Sequence, residues 1–395
     1  MRIAYITTLR LPSERAYGHQ IAAVCDAMVK LGHDVAVYAP RRKNPVAEDF
    51  WSYHHVDRRV RLTYVPVKDF INAGWMPGFL ALRLLRLTYL QGLVKVLNPV
   101  SADLIYTRDP AILFTLLRLH PRVMIELHTL PRFGRRRFVT LCNRCVRVVC
   151  LTSAMRDQLR SWGVEDARMI VEGDAVNVER FATLPGRAEA RRTFDVPEDA
   201  FVIGYAGSFR TMRLSKGIDQ LIEAVADQRL MDRNVFAVIA GGPSKEARKL
   251  RNLADRKSIV GRVRIVDQLA ASDVPGVYAA SDALIYTAPA TDHPYFVRDT
   301  SPLKIFEYMA ARRPVIAADL PPIHDVLDPS IATFYTPGDH TSLASAIDRL
   351  LQMSSSDRSA QAARAFGRVQ EHTWMKRMQR ILAIPSGPRA EGALS

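Results

Sequence analysis

Cysteine is scarce in this chain: 395 residues hold only Cys25, Cys142, Cys145 and Cys150, too few for a disulfide framework at this length. A reducing compartment is expected. Long apolar runs are missing too. No stretch of roughly 18 uncharged apolar residues exists, so a membrane-spanning helix is not expected. Met1 to Thr7 reads directly as a strand, without the basic start, apolar stretch and small-residue cleavage site of a secretory signal. Zinc-finger, homeodomain and RNP-type patterns are also absent. That absence matters because the formal net charge is +15, which favours acidic partners. The basic residues are scattered, and nucleic acid is not the expected partner. Cys142 and Cys145 form a C-x-x-C with no second pair, which fits either inert packing on one helix face or a metal or redox pair.

The chain has what a folded core needs. Hydrophobic residues make up 48% of it, and at about 100 to 200 residues per domain two domains are expected. Two places show an apolar run that ends in a loop and leads into a helical period: Arg2 to Thr8 before a helix near Gln20 to Leu31, and Phe201 to Gly207 before one near Ile218 to Ala226. Further apolar strands follow in each half, at Asp34 to Tyr38, Leu104 to Tyr106, Val123 to Glu126 and Val148 to Leu151, then at Val235 to Ala240, Val263 to Val266, Ala283 to Tyr286 and Val315 to Ala317. Strands alternating with helices imply α/β domains with parallel, Rossmann-like sheets. The expected division is an N-terminal domain over 1–175, a linker over 176–199 that lacks a sustained period, a C-terminal domain over 200–370, and a last helix and tail over 371–395 that packs back towards the first domain. Ligands of open parallel sheets bind at the carboxyl ends of the strands, which here should face one another across a cleft.

One segment carries specific chemistry. Asp299-Thr300-Ser301-Pro302-Leu303-Lys304 reads as a helix start, with Ser301 as cap and Pro302 at the first helical position. The amides of Leu303 and Lys304 would then point out of the N-terminus, where the helix dipole favours a phosphate. Asp299 before the helix and Glu307 within it supply carboxylates that suit sugar hydroxyls. The same pattern also fits an ordinary amphipathic helix with Glu307 in a solvated ion pair.

The run from Asp299 to Asp325, DTSPLKIFEYMAARRPVIAADLPPIHD, resembles the donor-binding region of retaining GT-B glycosyltransferases of the family-four type (glycosyl transferases group 1). Leu31-Gly32-His33-Asp34-Val35, Lys216-Gly217-Ile218-Asp219, Gly241-Gly242-Pro243, Asp174 to Phe181 and Thr373-Trp374 resemble other signatures of that family. The resemblance implies a GT-B fold, with two Rossmann-like domains facing across a cleft and a nucleotide-sugar donor in the second. It implies that Glu307 binds the ribose and that Asp299, standing where the family has a glutamate, meets the donor sugar. It gives Lys216 a phosphate role. The family's arginine after the glycine of the preceding strand is replaced, since Ser208 follows Gly207. Arg210 or Arg213 is the expected substitute.

Negative charge grows on a departing diphosphate, so fixed cations there lower the barrier. No D-x-D carboxylate pair is present to hold a divalent ion against the diphosphate. Neither a metal nor another cofactor is expected, and the donor is a co-substrate. In the first domain, His128 ends a strand, where the resemblance implies a contact to the donor sugar; a purely structural histidine is the alternative. Gly18, in the loop Pro12 to His19, stands where the family has a Gly-Gly pair. The resemblance further implies front-face attack, in which the leaving phosphate takes the acceptor's proton, so no protein nucleophile or base is assigned.

The expected partners are a UDP- or GDP-sugar and a glycan, lipid-linked or small-molecule acceptor. Phe79 to Leu97 is apolar but interrupted by Arg83, Arg86 and Lys95. It reads as either a buried helix or one lying in an anionic membrane interface. Arg132 to Arg137 adds further positive charge. The expected location is cytoplasmic, peripheral at the inner face of a membrane. A sugar-nucleotide epimerase or phosphorylase on the same fold is the alternative activity.

Overall fold

The computed structural model describes residues 1–384, apart from 72, 74, 98–100, 182, 212 and 213. Two compact units are present, one formed by Met1–Gly173 with Trp374–Ser395, the other by Asp174–Thr373.

The first unit is built on a sheet of β1 (Arg2–Ile6), β2 (Asp34–Arg41), β3 (Arg61–Pro66), β4 (Leu104–Thr107), β5 (Val123–Leu127), β6 (Arg147–Cys150) and β7 (Met169–Val171). Their order is β3-β2-β1-β4-β5-β6-β7, and every pairing is parallel. Ile3 to Ile6, Leu104 to Thr107 and all of β5 are buried, because helices cover both faces of the sheet. Runs such as VMIEL therefore need no polar alternation.

In the second unit β8 (Phe201–Ala206) is followed by a short antiparallel hairpin of β9 (Arg210–Thr211) and β10 (Leu214–Ser215). The main sheet continues with β11 (Val235–Ala240), β12 (Val263–Val266), β13 (Ala283–Tyr286), β14 (Val315–Ala318) and β15 (Ala332–Tyr335). Its order is β12-β11-β8-β13-β14-β15, again parallel throughout. Each main sheet reverses its winding beside its first strand, between β1 and β4 and between β8 and β13. Loops splay apart at such a switch point, and a ligand can enter there.

Two expectations change, and that for the last helix does not. The segment 176–199 is no free linker: Phe181, Ala190, Phe194 and Val196 belong to the second unit's core, and a helix occupies Arg187–Thr193. Arg191 is buried there because its guanidinium donates to the carbonyls of Ala280, Pro197 and Ala200 and to Asp282. The chain passes between the units after Gly173 and after Thr373 instead. The last helix, Trp374–Leu382, buries Met378 and Ile381 in the first unit's core. Finally, the helix Arg135–Cys142 ends at Cys142, so Cys145 lies beyond it rather than on its face. Both thiols are nevertheless buried and free, and burial pushes Cys145 up to about 12. They pack the core, and among the described residues no group of three or more His, Cys, Asp or Glu is placed to hold a metal.

Candidate functional site

In the second unit, β8 delivers Gly207 to the switch point. A Cβ at Gly207 would stand 2.1 Å from Cε of Lys304, so the lysine side chain lies directly across the glycine and a larger residue would displace it. The Phe209 amide donates to the Gly242 carbonyl, and the Phe209 carbonyl accepts from the Lys216 amide at 3.1 Å. Lys216 is thereby drawn back to the end of β8. Burial and the neighbouring Lys304 charge lower its pKa to about 8. Among the described residues no carboxylate pairs with Lys216 or Lys304. Two cations held together without a counter-ion form a place for an anion.

The helix Leu303–Ala310 begins beside them. It has no side-chain cap, which corrects the expectation for Ser301: that hydroxyl accepts from the Asp174 amide at 2.6 Å instead. Pro302 is the residue before the helix, not its first member. The first intrahelical donor to Pro302 is Ile305, and no described acceptor meets the amides of Leu303 and Lys304. These uncapped amides add to the positive potential of the lysines.

About one turn into this helix, Glu307 is half-buried, and the Tyr278 hydroxyl donates to its Oε2 at 2.6 Å. Tyr278 stacks on Phe181 and meets Tyr308 edge-on, so the carboxylate is oriented by a fixed aromatic group. Asp299 is engaged differently. It is 6% exposed and takes two bonds from its neighbour Arg298, 2.6 and 3.0 Å. Its carboxylate is therefore held in an ion pair beside the helix start. Thr300 turns inward to the buried phenol of Tyr286. Ser208 accepts from the Arg210 amide and donates to the Arg210 carbonyl, closing the turn into the hairpin. Arg210 reaches Glu246 at 3.3 Å. Arg213 lies outside the described residues.

In the first unit, Gly18 opens the helix Ala16–Lys30 at the switch point. A Cβ there would lie 2.6 Å from the Ser13 carbonyl oxygen, a backbone contact that only glycine permits. His128 follows β5, and its Nε2 sits 2.8 Å from Oε1 of Glu126. Gln20 donates to the same oxygen at 2.7 Å, while Tyr106 donates to Oε2 and Arg108 to the side-chain Oε1 of Gln20. Arg377 from the last helix completes the cluster, 3.1 Å from Oε2. Burial works against the Glu126 charge, but Arg377, His128 and Arg108 hold its pKa well below the usual carboxylate range. Burial and Arg108 lower His128 to about 4. The imidazole is therefore neutral at pH 7, with Nε2–H directed at Glu126 and Nδ1 left as the acceptor.

Several of these partners escaped the sequence reading. Tyr278 sits in a helix that reads as plain packing, and Arg298 reads as surface charge. Glu126 offered a signal: an acid inside an apolar parallel strand needs a buried cation. Its cation, Arg377, could not be chosen among 55 lysines and arginines.

Comparison with known proteins bears on the family and the fold. The profile described as Glycosyl transferases group 1 matches residues 200–353, and that described as Glycosyltransferase Family 4 matches 18–180. Among curated relatives, the D-inositol 3-phosphate glycosyltransferase of Streptomyces bingchenggensis is 29% identical over 184 residues, 44% of this chain and 38% of that one. The enzyme of that name from Kineococcus radiotolerans is 28% identical over 246 residues, 58% of this chain and 54% of that one. The chain thus spans two fifths to just over half the length of these relatives. Among solved structures, Anabaena Alr3699/HepE in complex with UDP and glucose aligns with TM-score 0.70 at 19% identity, covering 96% of this chain and 98% of that one. WaaG, a glycosyltransferase involved in lipopolysaccharide biosynthesis, aligns with TM-score 0.64 at 17% identity, covering 98% and 100%. The fold is GT-B, and with one profile matching in each parallel-sheet unit the chain belongs to the group 1 glycosyltransferases.

Proposed function

We propose that this protein transfers a hexose-type sugar, with retention, from a UDP- or GDP-sugar to a glycan, lipid-linked or small-molecule acceptor. The observation that carries the reading is Lys304 lying across Gly207 with Lys216 within reach of its charge, beside the uncapped amides of Leu303 and Lys304. A diphosphate supplies the negative charge this arrangement lacks. Glu307, held by Tyr278, accepts from the ribose hydroxyls. HepE structures with UDP and with UDP-glucose support a nucleotide-sugar donor here, and relatives named for an inositol phosphate support an acceptor bearing phosphate.

In this reading the bond from the sugar's anomeric carbon to the diphosphate breaks while the acceptor hydroxyl attacks from the same face. The acceptor's proton passes to the leaving phosphate oxygen. Lys216, Lys304 and the helix amides stabilise the charge that develops there, in place of a metal. Neutral His128 offers its Nδ1 to a sugar hydroxyl. With Asp299 bound to Arg298, the Arg298–Asp299 pair, rather than a lone carboxylate, is the group that meets the donor sugar. The setting is cytoplasmic.

The test is Glu307→Ala, with donor turnover followed for a panel of UDP- and GDP-sugars that thermal shift shows to bind. Abolished turnover or a steep rise in donor KM is expected. Unchanged donor kinetics would overturn the assignment, and donor consumption without acceptor would replace transfer by epimerisation or phosphorolysis.

A further inference from the structure

The helix Gly78–Val96 has apolar residues on every side. Its inner stripe, Ala81, Leu85, Tyr89 and Leu93, is buried against the first unit's sheet. The opposite side is apolar as well, and it is uncovered: Phe79 is 64% exposed, Leu87 56%, Val94 52% and Leu80 43%. Leu80, Leu87 and Val94 recur at heptad spacing and so form one line along the helix. Trp75, just before the helix, is exposed too. A helix that is hydrophobic all round is ordinarily buried in protein or lipid, and contiguous exposed apolar surface marks an interaction site.

The charges on this helix identify the partner. Arg83 and Lys95 are exposed, and no described carboxylate pairs with either. Arg86 turns away to Asp109, 3.9 Å off. The helix contains no Asp or Glu at all. A second copy of the chain, packed symmetrically on this face, would set Arg83 and Lys95 against their own counterparts with no acid to offset them. An anionic lipid surface supplies both the apolar bed and the opposite charge. Crossing the bilayer is not the mode, because no described helix is long and apolar enough for it.

We infer that the outer face of Gly78–Val96 seats on an anionic bilayer, with Phe79, Leu80, Leu87 and Val94 in the acyl boundary and Arg83 and Lys95 among the headgroups. Trp75 sits at headgroup level, where indole rings concentrate. The inference deepens the lipid-linked form of the proposed acceptor and rests on the transferase reading for that link alone; lipid binding itself does not require it.

The full-length protein is co-sedimented with vesicles of phosphatidylcholine alone and of phosphatidylcholine mixed equally with phosphatidylglycerol, and UDP binding is measured in parallel. Wild type is expected on the mixed vesicles and not on the neutral ones. Phe79→Ser with Leu87→Ser, which leaves the charge unchanged and alters only exposed positions, is expected to weaken vesicle binding at least tenfold. Arg83→Gln with Lys95→Gln should weaken it about thirtyfold. UDP binding should be unaffected in both. Absence of wild-type binding, equal binding to both vesicle types, or undiminished binding of the serine variant overturns the inference. A dimer that the serine variant converts to monomer also overturns it, in favour of a second copy. Vesicle binding that persists in a protein unable to bind UDP supports this face and removes the donor reading instead.

Discussion

Arg377 and Glu126 meet 3.1 Å apart with 1% and 2% of their side chains exposed, and through Glu126 the last helix of the chain reaches His128 at the end of β5. A buried pair of this kind is costly to break from one side, since the remaining charge has neither water nor partner. Arg377→Met should destabilise the first unit by about 3–5 kcal/mol, read as a fall in its unfolding midpoint in denaturant. Combining it with Glu126→Gln should recover much of that loss. If the double variant is as unstable as the sum of the single ones, the pair is not the cause.

His128 gives this unit an acid limit. Its imidazole takes a proton near 6.5 when unfolded but near about 4 when folded. The unfolded chain therefore binds the proton first, and stability present above about 6.5 is lost as pH falls towards 4. The depressed Glu126 acts in the same direction at still lower pH. Thermal midpoints measured across this window should fall on acidification, and His128→Asn should flatten the slope above pH 4.

Lys216 sets an alkaline limit on the second unit's ligand. Its pKa is lowered to about 8, so the free protein loses a cation as pH rises through that value, and a bound diphosphate must restore the proton. UDP affinity measured by calorimetry should be flat below about pH 7 and fall above 8, by at most about tenfold per pH unit. Proton uptake should accompany binding on the falling limb. Lys216→Arg, charged throughout this range, should remove the limb. Persistence of the limb in that variant would assign it elsewhere.

Tyr278→Phe removes the hydroxyl that orients Glu307 and leaves the ring in place. Donor KM should rise about ten- to a hundredfold, the worth of one hydrogen bond to a charged group, with kcat little changed. A donor lacking the ribose hydroxyls should be insensitive to the substitution. Equal sensitivity for both donors would mean that the phenol acts on something other than the ribose contact.

Gly18→Ala places a methyl 2.6 Å from a carbonyl oxygen, so the loop from Ser13 must move. We expect a loss of about tenfold or more in kcat/KM, with UDP binding to the second unit retained. Unchanged kcat/KM would show that this loop takes no part in positioning substrate.

The βα units were legible in the sequence because buried parallel strands write themselves as apolar runs, and the helix start beside Pro302 was legible to within one residue, with Leu303 rather than Pro302 its first member. What escaped was decided by partners distant in sequence or by short elements. Arg187–Thr193 is too brief for its period to show, and Arg191 is buried through carbonyls that no pattern announces. Ser301 reads as a cap, but the Asp174 amide competes for it successfully. Asp299 reads as a carboxylate suited to sugar hydroxyls, and nothing in the sequence announces that the residue before it closes an ion pair with it. Local propensity names the groups available; which pairs form depends on the packed chain.

The first unit is interrupted in sequence by the second, and this has a bearing on synthesis. A ribosome releases β1 to β7 long before Trp374–Leu382 exists, so the nascent first half must carry Glu126 without its arginine while the whole second unit is translated. The second unit, continuous from Asp174 to Thr373, can fold as it emerges. The half that is made first is the half that finishes last.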